Sequence, residues 1–374
     1  GETLIVDFGQ NFAGWEAFTV QAEAGTTVHV KHGEMLNDGN GATSRGCDGP
    51  EGSVYNTNYR TATADTYYTA SGSGAETYHP SHTYYGFRYA AFTADKAVTL
   101  TNIRGQVVTS VREDTAWMTT SNQDVNQLIS NIRWGMYSNY LSIPTDCPQR
   151  SERMGWTGDA QNFAEAGVYL GNNKSFLEKY LVDLRDTQRS NGAYAGTAPT
   201  GSYGGASYGA LGWADAGILI PYYLYVVYGD TSTVAEHWNS MVLYMDTYMA
   251  STNGMGGNHS YGDHVSYESN DDTIKDMLGV SYYAWDAMLM SRMAEALGKT
   301  EDAARYQALY ETEKALYQSL YVNEDGSLLR SEQTPCLYAL YLDLLPDAAS
   351  VEAVTNQLIT NIERNGNKLQ TGFL

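Results

Sequence analysis

The chain is poor in positive charge and in cysteine, and it holds no long apolar run. Lys and Arg total 22 against 43 Asp and Glu in 374 residues, a formal net charge of -21. A surface of that sign repels phosphate backbones, which argues against nucleic acid as a partner. Cys47, Cys147 and Cys336 lie far apart with no CxxC pair, so neither a zinc ribbon nor a disulfide scaffold is indicated and no metal is expected. The longest apolar stretch, Ala216 to Val227, is too short and too rich in Tyr to span a bilayer, so no membrane partner is expected. No P-loop occurs and no GxGxxG follows a strand, so no cofactor is implied. The first residues, Gly1-Glu2-Thr3, show neither a basic nor an apolar leader.

Other features are abundant. Gly numbers 37 and Tyr 31, while charged residues make up only 17%. The polar surface must therefore lean on neutral hydroxyl and amide groups, and Tyr-rich clefts suit neutral ligands such as sugars. The length exceeds what one hydrophobic core usually serves, so two domains are expected.

From Leu4 to about Val108 the apolar residues alternate or come in short β-rich runs, such as Thr27-Val28-His29-Val30 and Phe87 to Phe92, separated by Gly, Asn, Asp and Ser. That spacing predicts a β-sandwich over 1–112. The long Gly/Asn/Ser-rich stretch from Asn37 to Tyr59 reads as a functional or a flexible loop.

From Ser121, taken as an N-cap, the period becomes helical. About nine helices are expected, near 121–141, 159–170, 173–189, 211–228, 233–250, 273–297, 301–321, 333–344 and 348–364. Consecutive helices without a heptad suggest helical hairpins arranged as a toroid or bundle over 113–374. The loops 191–209 and 251–271 are long and rich in Gly, Tyr and Ser, the kind of segment that carries binding on a rigid scaffold.

The densest polar cluster is Asp146-Cys147-Pro148-Gln149-Arg150-Ser151-Glu152-Arg153-Met154-Gly155-Trp156-Thr157-Gly158-Asp159. Pro148 and Gly155 break any continuous helix, so these side chains can converge from a shaped loop. Neighbouring carboxylates and arginines split their pKa values, which an acid and a base working at one pH require. A purely structural network is an equal reading, with Arg150 and Arg153 paired to Asp146 and Glu152 and with Asp159 capping a helix. A reactive Cys147 is a weaker third.

Three other signals are set aside. His29 and His32 are three apart on a strand and point to opposite faces. Gly205-Ala206-Ser207-Tyr208-Gly209 fits GxSxG without a preceding β-branched strand. Met277, Leu278, Tyr282, Trp285, Leu289 and Met293 form a helical stripe read as core.

The run DCPQRSERMGWTGDAQ at 146–161 resembles the signature of the bacterial alpha-L-rhamnosidases, glycoside hydrolase family 78. The similarity extends to Asp7-Phe8-Gly9-Gln10-Asn11-Phe12-Ala13-Gly14-Trp15, Tyr84 to Tyr89, Gly212-Trp213-Ala214-Asp215-Ala216 and Thr371-Gly372-Phe373-Leu374, so it covers essentially the whole chain. It implies a β-sandwich followed by an (α/α)6 toroid, and inverting hydrolysis of a terminal alpha-L-rhamnoside.

Inversion takes a protonated carboxyl and a carboxylate ~6.5–9.5 Å apart on opposite faces of the sugar. By position in the motif Glu152 is the general acid, kept protonated by the charges of Asp146 and Asp159. Asp146, Arg150 and Asp159 match positions that hold sugar hydroxyls, and Trp156 and Trp213 match aromatic positions that cover the apolar sugar face. His264 stands where the family more often has Trp and either lines the sugar pocket or faces solvent.

The family's general base is a Glu after the Thr-Gly-Phe-Leu run, and the sequence stops at Leu374. The base and the last hairpins of a toroid of about twelve helices are therefore expected beyond it. The partner implied is a rhamnose-containing oligosaccharide or glycoside. The alternatives are a sugar-binding chain without turnover, or another (α/α)6 glycosidase or a polysaccharide lyase. The composition leans slightly towards an exported protein, and a cytoplasmic one is also consistent; the oligomeric state is not legible.

Overall fold

The computed structural model describes residues 2–40, 46–201 and 207–374. The expected order, strands first and helices after, is what it shows. By packing, the chain divides into two compact units, Gly1–Met154 with Leu170–Phe176, and Gly155–Tyr169 with Leu177–Leu374.

The first unit is built on β1 (Leu4–Ala22), β2 (Thr27–Gly33), β3 (Asp65–Thr69), β4 (Ala75–Tyr78), β5 (Tyr85–Ala94) and β6 (Val98–Val107). They form one six-stranded antiparallel sheet in the order β3-β2-β5-β1-β4, with β6 also on β1. β1 can serve so many neighbours because it is 19 residues long: its first half pairs with β5, its second with β4 and β6. A register shift between Asp7 and Phe12 bends it. Phe12, Phe18, Val20, Val28, Val30, Phe87 and Phe92 form the core, and Leu100 and Ile103 of β6 pack onto it. Strands from both ends of the order thus share one interior, and the bent sheet supplies a sandwich-type core.

Trp134 of α1 (Gln123–Asn139) closes that core. The helix is capped by Asn122, whose side chain accepts Asp124 N at 2.8 Å, and not by Ser121 as expected. Asn and Ser cap helices about equally well, so the choice between neighbouring positions was not decided by residue type. A short hairpin, β7 (Tyr140–Leu141) and β8 (Ile143–Pro144), then leads into the polar cluster.

The second unit holds α2 (Thr157–Leu170), most of α3 (Lys174–Asp186), α4 (Ala216–Tyr228), α5 (Ser232–Leu243), α6 (Asp272–Ala296), α7 (Thr300–Tyr321), α8 (Gln333–Tyr341) and α9 (Ala348–Arg364). With α1 these are nine α-helices among the described residues. α4 begins at Ala216 rather than near 211, because residues 212–215 form turns held by Asp215.

α4, α6 and α8 lie side by side, and each pairs outward with the helix that follows it, α5, α7 and α9. That alternation of inner and outer helices is the hairpin plan expected for this region. It explains the composition: α4 is apolar nearly all round, and the stripe from Met277 to Met293 in α6 is buried core as expected. Among the described residues no helix is long and apolar enough to cross a membrane. Gly205 and Ala206 of the GxSxG pattern lie outside the described residues.

Candidate active site

The polar cluster follows β8 as a loop that closes on itself through Asp146. Asp146 N donates to the Met154 carbonyl at 3.0 Å, and Met154 N donates back to Asp146 Oδ1 at 2.7 Å. Arg150 sits inside this closure. Its Nε reaches Glu152 Oε2 at 3.0 Å, its Nη2 the same oxygen at 2.9 Å, and Nη2 also Asp146 Oδ2 at 3.4 Å. One guanidinium thus joins the two carboxylates, a use of its planar fork that a lysine cannot copy.

Arg60 completes the group. It lies just past the Asn37–Tyr59 stretch and places Nη1 2.7 Å from Glu152 Oε2. The sequence left that stretch open between a functional and a flexible loop and did not point to Arg60. The Asp146 and Glu152 side chains are only 6% and 11% exposed. Burial raises the Asp146 carboxyl above its ordinary value, against hydrogen bonds from Cys147 and Met154 N that lower it.

Cys147 is buried beside Asp146, and burial with that hydrogen bond pushes its thiol up to about 12. A thiol so firmly protonated is no nucleophile, which removes the third reading. One ligand atom each from Asp146, Cys147 and Glu152 lies within 4.8 Å of the others. Arg150 already bonds both carboxylates, so we assign no metal to the group. A cavity of about 420 Å³ opens beside it, lined by Tyr84, Tyr85, Gln149, Arg150, Glu152 and Arg153 among others. That volume is in the range of small-molecule sites.

The other expected site residues lie in the helical unit. Trp156 stands just before α2, with its ring edge-on to Tyr261 at 6.0 Å between centroids. Tyr261 lies 4.5 Å from Trp213, and Trp213 is stacked on Phe373 at 5.2 Å with 18° between planes. His264 is 6.5 Å from Trp213 and 6.0 Å from Tyr261. The structure therefore brings Trp156, Trp213 and His264 together through Tyr261, which sequence reasoning had missed; its signal was its place in the Tyr-rich loop 251–271.

Trp213, 3% exposed, is the packed centre of these rings, while Trp156, Tyr261 and Phe373 are half-buried and His264 is exposed. Its ring also presses on α2: a Cβ on Gly158 would lie 2.6 Å from Trp213 Cε2, so only glycine fits there. Asp159, half-buried, occupies the first turn of α2.

Behind Trp213, Asp215 accepts from Gly212 N at 2.7 Å and from the Tyr244 hydroxyl at 2.8 Å. Asp286 lies against it, fully buried, and burial beside a second carboxyl drives its proton affinity well up. Burial raises the Asp215 carboxyl above its ordinary value as well, so neither member of the pair ionises as readily as an exposed carboxyl. The set-aside histidines have separate partners: His29 meets Asp65 at 3.0 Å and His32 meets Glu16 at 2.6 Å.

Comparison with known proteins agrees along the chain. Residues 113–374 match the model of the bacterial alpha-L-rhamnosidase 6 hairpin glycosidase domain, and residues 1–109 that of the bacterial alpha-L-rhamnosidase concanavalin-like domain. An alpha-L-rhamnosidase of Streptomyces avermitilis is 37% identical over 373 residues, 99% of this chain and 34% of that protein. One of Formosa agariphila is 32% identical over 383 residues, 100% of this chain and 40% of that protein.

The crystal structure of the Streptomyces avermitilis alpha-L-rhamnosidase complexed with L-rhamnose superposes with a TM-score of 0.88 at 38% identity, covering 100% of this chain and 34% of that one. The chain thus spans 34% and 40% of the lengths of these two curated relatives. Since the hairpin-domain model alone takes in residues 113–374, well over half of the sequence, the chain belongs to the bacterial alpha-L-rhamnosidase family.

Proposed function

We propose that the chain serves an inverting glycoside hydrolase that removes terminal alpha-L-rhamnose, with Glu152 as general acid. The observation that carries this is the joining of Asp146 and Glu152 by one guanidinium, at the motif positions of the acid and of a hydroxyl-binding carboxylate. Support comes from the relatives' names and from the L-rhamnose complex of the Streptomyces protein.

In this reading Glu152 donates its proton to the glycosidic oxygen as the bond to the sugar breaks. Asp146, Arg150 and Asp159 hold sugar hydroxyls by charge-assisted hydrogen bonds. Trp156, Trp213 and His264, joined by Tyr261, give an aromatic surface for the C-H face and methyl group of a 6-deoxy sugar. The base that activates water belongs, by the resemblance, after the Thr371–Leu374 run. The proposed domains are 1–112 and 113–374, supported by family models that match at 1–109 and 113–374.

The test is release of nitrophenol from p-nitrophenyl alpha-L-rhamnopyranoside by the chain, by a version extended past Leu374, and by both with Glu152→Gln. Turnover in at least one form, lowered about 100-fold or more by Glu152→Gln, is expected for loss of a general acid. Rhamnose binding without turnover in either form would favour a sugar-binding role. No rhamnose binding at all would refute the substrate class.

A further inference from the structure

Asp263 is 1% exposed, and its carboxylate collects three donors from two distant parts of the helical unit. Oδ2 accepts from the Thr334 hydroxyl of α8 at 2.7 Å and from Gly372 N at 2.9 Å, and Oδ1 accepts from Leu374 N at 3.0 Å. Phe373 stands between those two amides. Its own N donates to the His264 carbonyl at 2.8 Å, and its carbonyl accepts the Asn162 side-chain amide at 2.9 Å.

With backbone polar groups held on both sides and at Phe373 itself, the backbone that carries the ring is fixed, and the ring lies stacked on Trp213. The fit is close: a Cβ on Gly372 would come within 2.6 Å of Asp263 O and Oδ1. A buried carboxylate is expensive to desolvate, and among the described residues its hydrogen bonds go to the backbone on either side of one aromatic side chain and to a helix.

We infer that Asp263 is a positioning residue for the sugar wall: it clamps the backbone on either side of Phe373, so that this ring backs Trp213 and, with Tyr261, completes the apolar surface that receives a deoxy sugar. The inference rests on the functional reading given above. Asp263 acts through Phe373 and has no role in bond breaking.

The experiment is a double-mutant cycle on rhamnose affinity in the 374-residue chain, with Asp263→Asn, Phe373→Leu and both. Asp263→Asn turns an acceptor into an amide that faces donors, and an affinity loss of about tenfold is expected, the scale of one charge-assisted hydrogen bond. In the Phe373→Leu background the same change should cost less than about twofold, because the ring it positions is gone. In the turnover-competent form KM should rise more than kcat falls.

Equal losses in both backgrounds, or an unchanged affinity in a folded Asp263→Asn chain, overturn the inference. Should Asp263→Asn fail to fold, Thr334→Val removes one donor and carries the same cycle. A wild-type chain that binds no rhamnose defeats the substrate reading alone; the Trp213 emission then decides, taken as the difference between each chain and its Trp213→Phe counterpart. A shift of that emission in Asp263→Asn supports the clamp, and an identical spectrum refutes it.

Discussion

Replacing Glu313 by Gln should stabilise the helical unit at alkaline pH and do nothing in acid. Glu313 sits in α7 at 4% exposure, and its Oε2 has no hydrogen-bond partner among the described residues. Burial raises its carboxyl from the ordinary 4.5 to about 7. The native state therefore holds this proton more tightly than the unfolded chain does. Its contribution to stability is whole below about 4.5 and is lost as the pH rises through about 7.

The gap between those two values is worth about 3 kcal/mol at full extent. Gln keeps the shape and never ionises, so the difference between wild type and variant isolates this one group. Urea unfolding followed by tryptophan emission should give coincident midpoints near pH 4. Near pH 8 the variant should be more stable by up to about 3 kcal/mol. A difference that does not change with pH, or a wild type that is the more stable at pH 8, would refute the reasoning.

Two further substitutions probe the site. Gly158→Ala forces a methyl against the Trp213 indole and should lower stability by about 1–3 kcal/mol, read as a fall in Tm; an unchanged Tm would mean the contact is not as close as described. Arg150→Lys keeps the charge but cannot span Asp146 and Glu152 together, so kcat/KM of the turnover-competent form should drop by about 10-fold or more. A lysine variant with full activity would show that the bridge has no part in catalysis.

The change from period-two alternation to helical spacing near residue 121 was visible in the sequence, because burial on one face imposes it on strands and helices alike. The helices were legible for the same reason, with their ends misplaced by a few residues where side-chain caps and turns compete, as at Asn122 and at Asp215. The cluster at 146–159 stood out because carboxylates, arginines, Pro and Gly in one short segment mark a shaped polar loop.

Which members of that segment meet was not legible. Two readings, a site and a structural network, explained the same residues equally well in the sequence, and only the structure shows that Arg150 pairs with both carboxylates. Local pattern alone determined the element types, the order of the two domains and a short roll of candidate side chains.

Tertiary structure decided the rest. Arg60 is 92 positions from Glu152, Tyr261 is 48 from Trp213 along the numbering, and Asp263 meets Gly372 and Leu374 across separations of 109 and 111 residues. No local period encodes such pairs. They exist because a bent sheet and a set of paired helices bring distant loops together, and packing and hydrogen bonding then select which side chains touch.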